Sequence, residues 1–215
     1  MSGENSASDF SLGAILLAAG RSARMGKPKM LLPWGSNSVL GHLILRWQGL
    51  GACQVAVVCA GDDVAIQSEL DRLQFPGSER ILNEAPEEGM FGSIQRAARW
   101  KGWQTDLTHW AIVLGDQPHL GEATLHAVLG SSREHPESVC QPKYAGHRYH
   151  PVLLPKAVFR GIATSMAGNL REFLETIRAD CFFCELNDPA LALDIDRPED
   201  YSEALEKYGP DVSAR

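Results

Sequence analysis

The stretch Gly13 to Trp34, GAILLAAGRSARMGKPKMLLPW, constrains the fold more than any other part of the chain. It opens with an apolar run, Ala14 to Leu17, of the kind a strand buried on both faces of a parallel sheet requires. Ala18, Ala19 and Gly20 follow, and their small side chains let a ligand lie against the backbone. Beyond them a loop carries two cations, Arg24 and Lys29, with Gly26 and Pro28 between them. Backbone amides beside placed Arg and Lys charges make a receptor for a polyphosphate. In open α/β sheets ligands lie outside the carboxyl ends of the strands, where this loop would sit.

Two familiar phosphate loops are excluded. A P-loop needs two glycines enclosing four residues, then Lys and Ser or Thr. Here Gly20 and Gly26 enclose five, and Lys27 is followed by Pro28. The dinucleotide fingerprint needs glycine two and five positions after the first, where this chain has Ser22 and Met25.

The remainder alternates between strand and helix patterns. Ser38 to Leu50 predicts a helix with Leu40, Leu43, Ile44 and Trp47 on one stripe, closed by Gly51. Gln54 to Cys59 predicts a buried strand, and Asp62 or Asp63 caps a helix running to about Leu73. Arg80 to Leu82 predicts a short strand. In NEAPEEGMFGSIQR, Gly89 and Gly92 punctuate a turn before an amphipathic helix from Ser93 to Trp100. Trp110 to Gly115 predicts another strand, with Asp116 at its carboxyl end in LGDQP.

Val139 to Gln141 is expected as a strand stopped by Pro142, with Lys143 to Leu154 forming a hairpin around a Gly-containing turn. Helices are expected over Lys156–Ile162 and Gly168–Ile177, a strand at CFFCEL, and a last strand over Ala192–Ile195. A closing helix runs to about Tyr208; Pro198 suits its first turn, and Glu199 and Asp200 complement its dipole. Such alternation means a parallel sheet with right-handed crossovers. No repeat or linker divides it, so one domain is expected over 12–208, between a disordered tail at 1–11 and a short one at 209–215.

A chain of 215 residues should bury roughly 70% of its unfolded surface. The net charge of −7 argues against nucleic acid, for which a basic face is expected. Local charge at Arg24 and Lys29 can still attract a nucleotide, because steering follows the local field. No apolar run reaches 18 residues, so no membrane helix is expected. The opening MSGENSASDF is polar and unlike a signal peptide, which predicts a cytoplasmic chain. The five cysteines, an odd number, fit a reducing compartment. Cys181 and Cys184 form a lone CxxC on an expected strand, where residues three apart face opposite ways, so they read as core thiols rather than a zinc pair.

Asp116 has two readings. A lone carboxylate at the end of a buried strand is costly, and a hard cation such as Mg²⁺, which takes oxygen ligands beside substrate phosphates, would account for it. Capping the helix after Pro118 is the competing role. Asp194 and Asp196, two apart on the expected last strand, share one face and so look toward one site. His150 is either an acceptor contact or a hydrogen-bonded structural histidine.

The opening stretch resembles the signature LAAGxSxRMGxxKxLLP of nucleotidyltransferases, nearest to molybdenum-cofactor cytidylyltransferases, with the guanylyltransferases next. The GM…SI turn, LGDQP, an LREFL segment and LDIDRPEDY extend the resemblance along the chain. It implies a single-domain, Rossmann-like three-layer α/β fold of the nucleotide-diphospho-sugar transferase type, with a mostly parallel sheet and a β-hairpin insertion. It implies a nucleoside triphosphate, CTP favoured, over Leu17, Ala18, Ala19 and Gly20, with its phosphates on Arg24 and Lys29 and its base beside Gly89 and Ser93. Mg²⁺ would be held by Asp116 and Asp194, Asp196 being the reserve. The acceptor would be molybdopterin or its molybdenum form, touched by His150, with possible handover to a molybdenum hydroxylase.

Two departures stand out: Tyr149 precedes His150–Pro151 where relatives read Gly-His-Pro, and Arg197 replaces a usual Thr. Guanylyltransferases read LAGG where this chain reads LAAG, so the Ala19 methyl is expected to narrow the base pocket toward a pyrimidine. Sugar phosphates, a lactate phosphate and methylerythritol phosphate are rival acceptors. A non-catalytic carrier of a nucleotide-bearing cofactor is the rival from another class.

Overall fold

The computed structural model describes residues 10–20 and 25–210. Arg24 and both expected tails, apart from Phe10, Ser11, Gly209 and Pro210, lie outside the described residues. Phe10 and Ser11, expected to be disordered, are packed: the Phe10 ring meets His109 at 4.5 Å between centroids, and Ser11 N–H donates to Thr108 Oγ1 at 3.0 Å.

The strands are β1 (Leu12–Leu17), β2 (Pro33–Trp34), β3 (Asn37–Ser38), β4 (Gln54–Ala60), β5 (Arg80–Asn83), β6 (His109–Leu114), β7 (Val139–Tyr144), β8 (His147–Arg148), β9 (Val152–Pro155) and β10 (Cys181–Glu185). The helices are α1 (Val39–Gly49), α2 (Val64–Arg72), α3 (Gly89–Arg99), α4 (Glu122–Glu134), α5 (Lys156–Ile162), α6 (Leu170–Thr176) and α7 (Pro198–Tyr208). Within the described residues one sheet runs in the order β10-β7-β9-β6-β1-β4-β5, with β8 paired to β7. In this sheet β9 and β8 run antiparallel to their neighbours and the other pairings are parallel; β2 and β3 form a separate antiparallel pair. This is the expected mostly parallel sheet with a hairpin inserted.

The alternation of β1 explains the three layers. Leu12, Ala14 and Leu16 join a cluster with Leu40, Leu43 and Trp47 of α1, Ile66 and Leu70 of α2, and Leu125 and Val128 of α4. Ile15 faces the other way, into a cluster with Ile94 of α3, Phe159 of α5 and Phe173 of α6. A strand apolar on successive residues has to be covered on both faces.

Local chemistry sets the helix ends. Ser38 Oγ accepts from Gly41 N–H at 3.0 Å, and Asp63 Oδ1 from Ile66 N–H at 3.0 Å. Gly51, at φ +87°, takes the left-handed conformation that ends α1.

Three expectations need correction. α3 begins at Gly89, not Ser93. β7 continues through Pro142. The Pro142 carbonyl accepts from Tyr149 N–H at 3.0 Å, so its missing N–H points to the same side, where pairing with β9 has already ended at Cys140↔Leu153. Ala192–Ile195 is no strand: Asp188 caps a 3-10 turn over Pro189–Ala192, and residues 193–196 carry no ladder, with Asp196 N–H donating to the Asp194 carbonyl at 3.1 Å.

No helix among the described residues is long and apolar enough to cross a membrane. The Cys181 and Cys184 thiols are free and half-buried on β10.

Helix α1 also anchors the loop that follows β6. His42 Nε2 lies 3.1 Å from the Pro118 carbonyl, and Arg46 Nη1 donates to the Leu120 carbonyl. Burial, aided by the Arg46 charge, lowers the His42 pKa to about 4, against the opposing Pro118 hydrogen bond. The unfolded chain therefore takes up a proton near pH 6.5 that the folded chain refuses. Stability should be full above pH 6.5 and fall as the pH drops toward 4. Urea midpoints at pH 7 and pH 5 should differ less in His42→Gln than in the wild type; equal differences would remove His42 from the account.

Candidate active site

The site is assembled by β1 and β6, which are paired in parallel so that Leu17 lies opposite Leu114. Ala18–Gly20 and Gly115–Asp116 therefore leave the sheet side by side at its carboxyl edge. The two turns are packed closely, and a Cβ on Gly115 would run into Met30 Sδ and the Leu17 carbonyl. Only glycine lets Met30 close the floor here.

A cavity of about 190 Å³ opens over these turns. Leu17, Ala18, Ala19, Gly20, Lys29, Gly89, Ser93 and Asp116 all line it, although they come from four separate segments. Gly89 has φ +81°, a conformation that L side chains rarely adopt, and it starts α3 over the cavity. The Ser93 hydroxyl accepts from Asn83 Nδ2 at 3.1 Å, and Asn83 Oδ1 accepts from Ala85 N–H at 3.0 Å. The end of β5 thereby fixes the turn that carries Gly89. Met30, Pro86 and Met90 also line the cavity; Met90 sits inside the GM…SI turn, but no feature of a single sequence distinguishes it.

Lys29 begins a one-turn 3-10 helix after Pro28. Its ammonium donates to Asp116 Oδ2 at 2.9 Å, to the Ile195 carbonyl at 3.3 Å and to Asp196 Oδ1 at 3.5 Å. Asp116 does not cap α4, which starts at Glu122. The chain at 193–196 reaches the site without a strand because Ile195 N–H donates to the Asp116 carbonyl at 3.1 Å. Gln117 Nε2 donates to Asp194 Oδ1 at 2.8 Å, and His119 Nε2 lies 3.0 Å from the Ala190 carbonyl. The loop after β6 thus holds the last acidic segment through four consecutive residues less one, Asp116, Gln117 and His119. Sequence reasoning missed Gln117 and His119, since nothing in their spacing indicates a partner about 75 residues away in the chain.

The carboxylates crowd one another. Burial raises the Asp194 pKa, and the charges of Asp116 and Asp196 push it the same way; Gln117 and Lys29 oppose them. Asp116 Oδ1 is buried with no hydrogen-bond partner. An orphan carboxylate oxygen beside a second strained carboxylate is a donor set suited to a hard cation. Among the described residues no group of three or more His, Cys, Asp or Glu side chains is gathered as a complete metal cage, so such a cation would draw further ligands from substrate and water, as Mg²⁺ commonly does.

His150 lies elsewhere. Its Nδ1 is 3.3 Å from the Ile112 carbonyl, and burial lowers its pKa, so the ring is neutral. With Tyr149 it lines a second, larger cavity of about 820 Å³, and Met90 lines both cavities. His150 is thus hydrogen-bonded to the scaffold and also exposed to a cavity. Arg24 lies outside the described residues.

The chain is similar to known proteins over most of its length. The chain is 28% identical over 197 residues to the molybdenum cofactor cytidylyltransferase of Escherichia coli (strain K12), covering 90% of this chain and 95% of that one. It is 30% identical over 171 residues to the molybdenum cofactor guanylyltransferase of Rhizobium johnstonii, covering 76% and 74%. The crystal structure of Rv0371c from Mycobacterium tuberculosis H37Rv superposes with a TM-score of 0.75 at 26% identity, covering 92% of this chain and 98% of that one. The model of the MobA-like NTP transferase domain matches residues 14–181, and the chain belongs to that family of nucleotidyltransferases.

Proposed function

We propose that this chain transfers CMP from CTP to a molybdopterin-type phosphate acceptor and releases pyrophosphate. The observation that carries the reading is the meeting of Lys29, Asp116 and Asp196 at the edge of a cavity lined by Leu17–Gly20, Gly89 and Ser93. The base lies against Gly89 and Ser93, and the triphosphate runs over the backbone of Ala18–Gly20. Lys29, and Arg24 from the same loop, take the phosphates. Lys29 exchanges its carboxylate partners for phosphate oxygens as the substrate enters. Asp116 and Asp194 would hold Mg²⁺, with Asp196 as reserve, and the ion would neutralise charge on the α-phosphate.

The acceptor's phosphate oxygen attacks the α-phosphorus; a new phosphoanhydride forms as the α–β bond breaks, and pyrophosphate leaves with the bonding electrons. A phosphate monoester has its second pKa near about 6, so it arrives largely dianionic and needs no general base. The neutral ring of His150 therefore serves as a contact for the acceptor rather than a proton relay. Catalysis consists of bringing two anions together and neutralising them. The product is handed to a molybdenum hydroxylase in the cytoplasm.

Removing one group that neutralises developing charge commonly costs on the order of 10²–10³ in rate. Asp116→Asn should lose that much pyrophosphate release with CTP, Mg²⁺ and molybdopterin, while its urea midpoint stays close to the wild type. Undiminished turnover in that variant would favour the carrier reading.

Ala19 lines the cavity, and its methyl supports the choice of a pyrimidine. Isothermal titration should give tighter CTP than GTP binding in the wild type, and Ala19→Gly should narrow that gap. Tighter GTP binding by the wild type would reverse the donor and align the chain with guanylyltransferases.

A further inference from the structure

The cavity of about 820 Å³ on the hairpin side carries cationic groups unlike the rest of a chain with net charge −7. Arg171 on its wall is paired with Glu175 at 2.9 Å. Arg148 on β8 and Arg178 after α6 also line it. Among the described residues Arg148 has no carboxylate partner; its guanidinium instead lies over the Phe183 ring, with Cζ 4.5 Å from the centroid.

The sheet explains this contact. Arg148 is opposite Lys143 and Phe183 opposite Gln141, both on β7, so both side chains rise from one face and meet across that strand. Phe183 is half-buried on the ladder, whereas Arg148 is exposed. A guanidinium laid on an aromatic ring is a flat, cationic surface of fixed orientation, and its planar group stacks on further π systems.

We propose that Arg148, backed by Phe183, is the stacking platform for the ring of a flat heteroaromatic acceptor. The ring rests on the hairpin side, and the acceptor's phosphate points past His150 and Met90 into the first cavity. Met90 lines both cavities, so they adjoin at that side chain. A sugar phosphate offers no π face to this surface, so the platform selects heteroaromatic phosphates over sugar phosphates. The direction of the phosphate rests on the transferase reading; the binding of the ring does not.

The test uses the full chain without nucleotide, titrated with a pterin bearing a phosphorylated side chain at C6 and, separately, with ribose 5-phosphate. Quenching of pterin fluorescence reports stacking; calorimetry reports the sugar phosphate. Base–aromatic stacking commonly contributes enough that its loss weakens binding about tenfold or more. Phe183→Leu and Arg148→Gln should each weaken pterin binding by about that factor. Phe183→Leu should leave ribose 5-phosphate binding within about twofold, and CTP affinity should be unchanged in both variants. Equal loss for both probes would reduce the site to bare charge and overturn the platform, as would unchanged pterin binding in the variants or no pterin binding by the wild type. Selective loss of the pterin, in a protein that releases no pyrophosphate from any triphosphate, would uphold the platform and sink the transferase reading instead.

Discussion

The ammonium of Lys29, held between Asp116 and Asp196, is the contact on which the geometry of the site depends. Three carboxylates, Asp116, Asp194 and Asp196, are brought together here from two segments nearly 80 residues apart in the chain. Two like charges about 4 Å apart near a protein surface repel by about 4 kcal/mol at an effective dielectric of about 20. Such a group is tolerated only with a counter-charge, and Lys29 provides it from the loop after β1. The same loop faces the cavity. Under the proposed reading, a polyanion entering the cavity would compete with the carboxylates for the Lys29 ammonium, which would couple substrate entry to a need for positive charge at Asp116 and Asp194.

That coupling makes the unfavourable state of Asp194 intelligible. Burial and neighbouring carboxylates disfavour its charge, and the Gln117 amide at 2.8 Å only partly offsets them. Packing alone would favour an uncharged residue at this position. The buried, unpartnered Oδ1 of Asp116 points the same way. Under the proposed reading, this crowding at a cavity edge is where a cation would be held. Gln117 and His119 fix the segment that carries Asp194.

Much of the fold was legible because the central strands obey a simple rule. β1, β4 and β6 are apolar on successive residues, and that composition fits only a sheet covered on both sides. Ala18, Ala19 and Gly20 were legible for a different reason: small side chains at the carboxyl end of such a strand let a ligand lie against the backbone. Gly89 and Ser93 were indicated only by the family resemblance of the turn they belong to, and α3 starts four residues earlier than the amphipathic pattern indicated. The last acidic segment was misread. Leu191 and Ile195 are buried, which imitates a strand, but Pro189 and the Asp188 cap turn the chain into a 3-10 helix, and it is the Asp116 carbonyl that captures Ile195. A period of two and an isolated pair of buried residues cannot be told apart over four positions. Pro142 misled for a related reason, since a missing N–H matters only on the side where a partner strand is present.

The relation between the two cavities follows from where the antiparallel hairpin enters the sheet. β9 is inserted between β6 and β7, so β6, which leads into Asp116, is separated from β7 by one strand that runs the other way, and from β10, which carries Phe183, by β9 and β7 together. His150 and Tyr149 lie just before β9, at the boundary between the parallel half that supports the first cavity and the hairpin half that supports the second. An all-parallel sheet would put a βα turn at that edge and close it with a helix. The reversed strand leaves the edge open, and Met90, at the start of α3, is the side chain the two cavities share. Under the proposed reading, a donor over β1 and an acceptor over β7 would meet at the end of β6, beside Asp116 and Lys29.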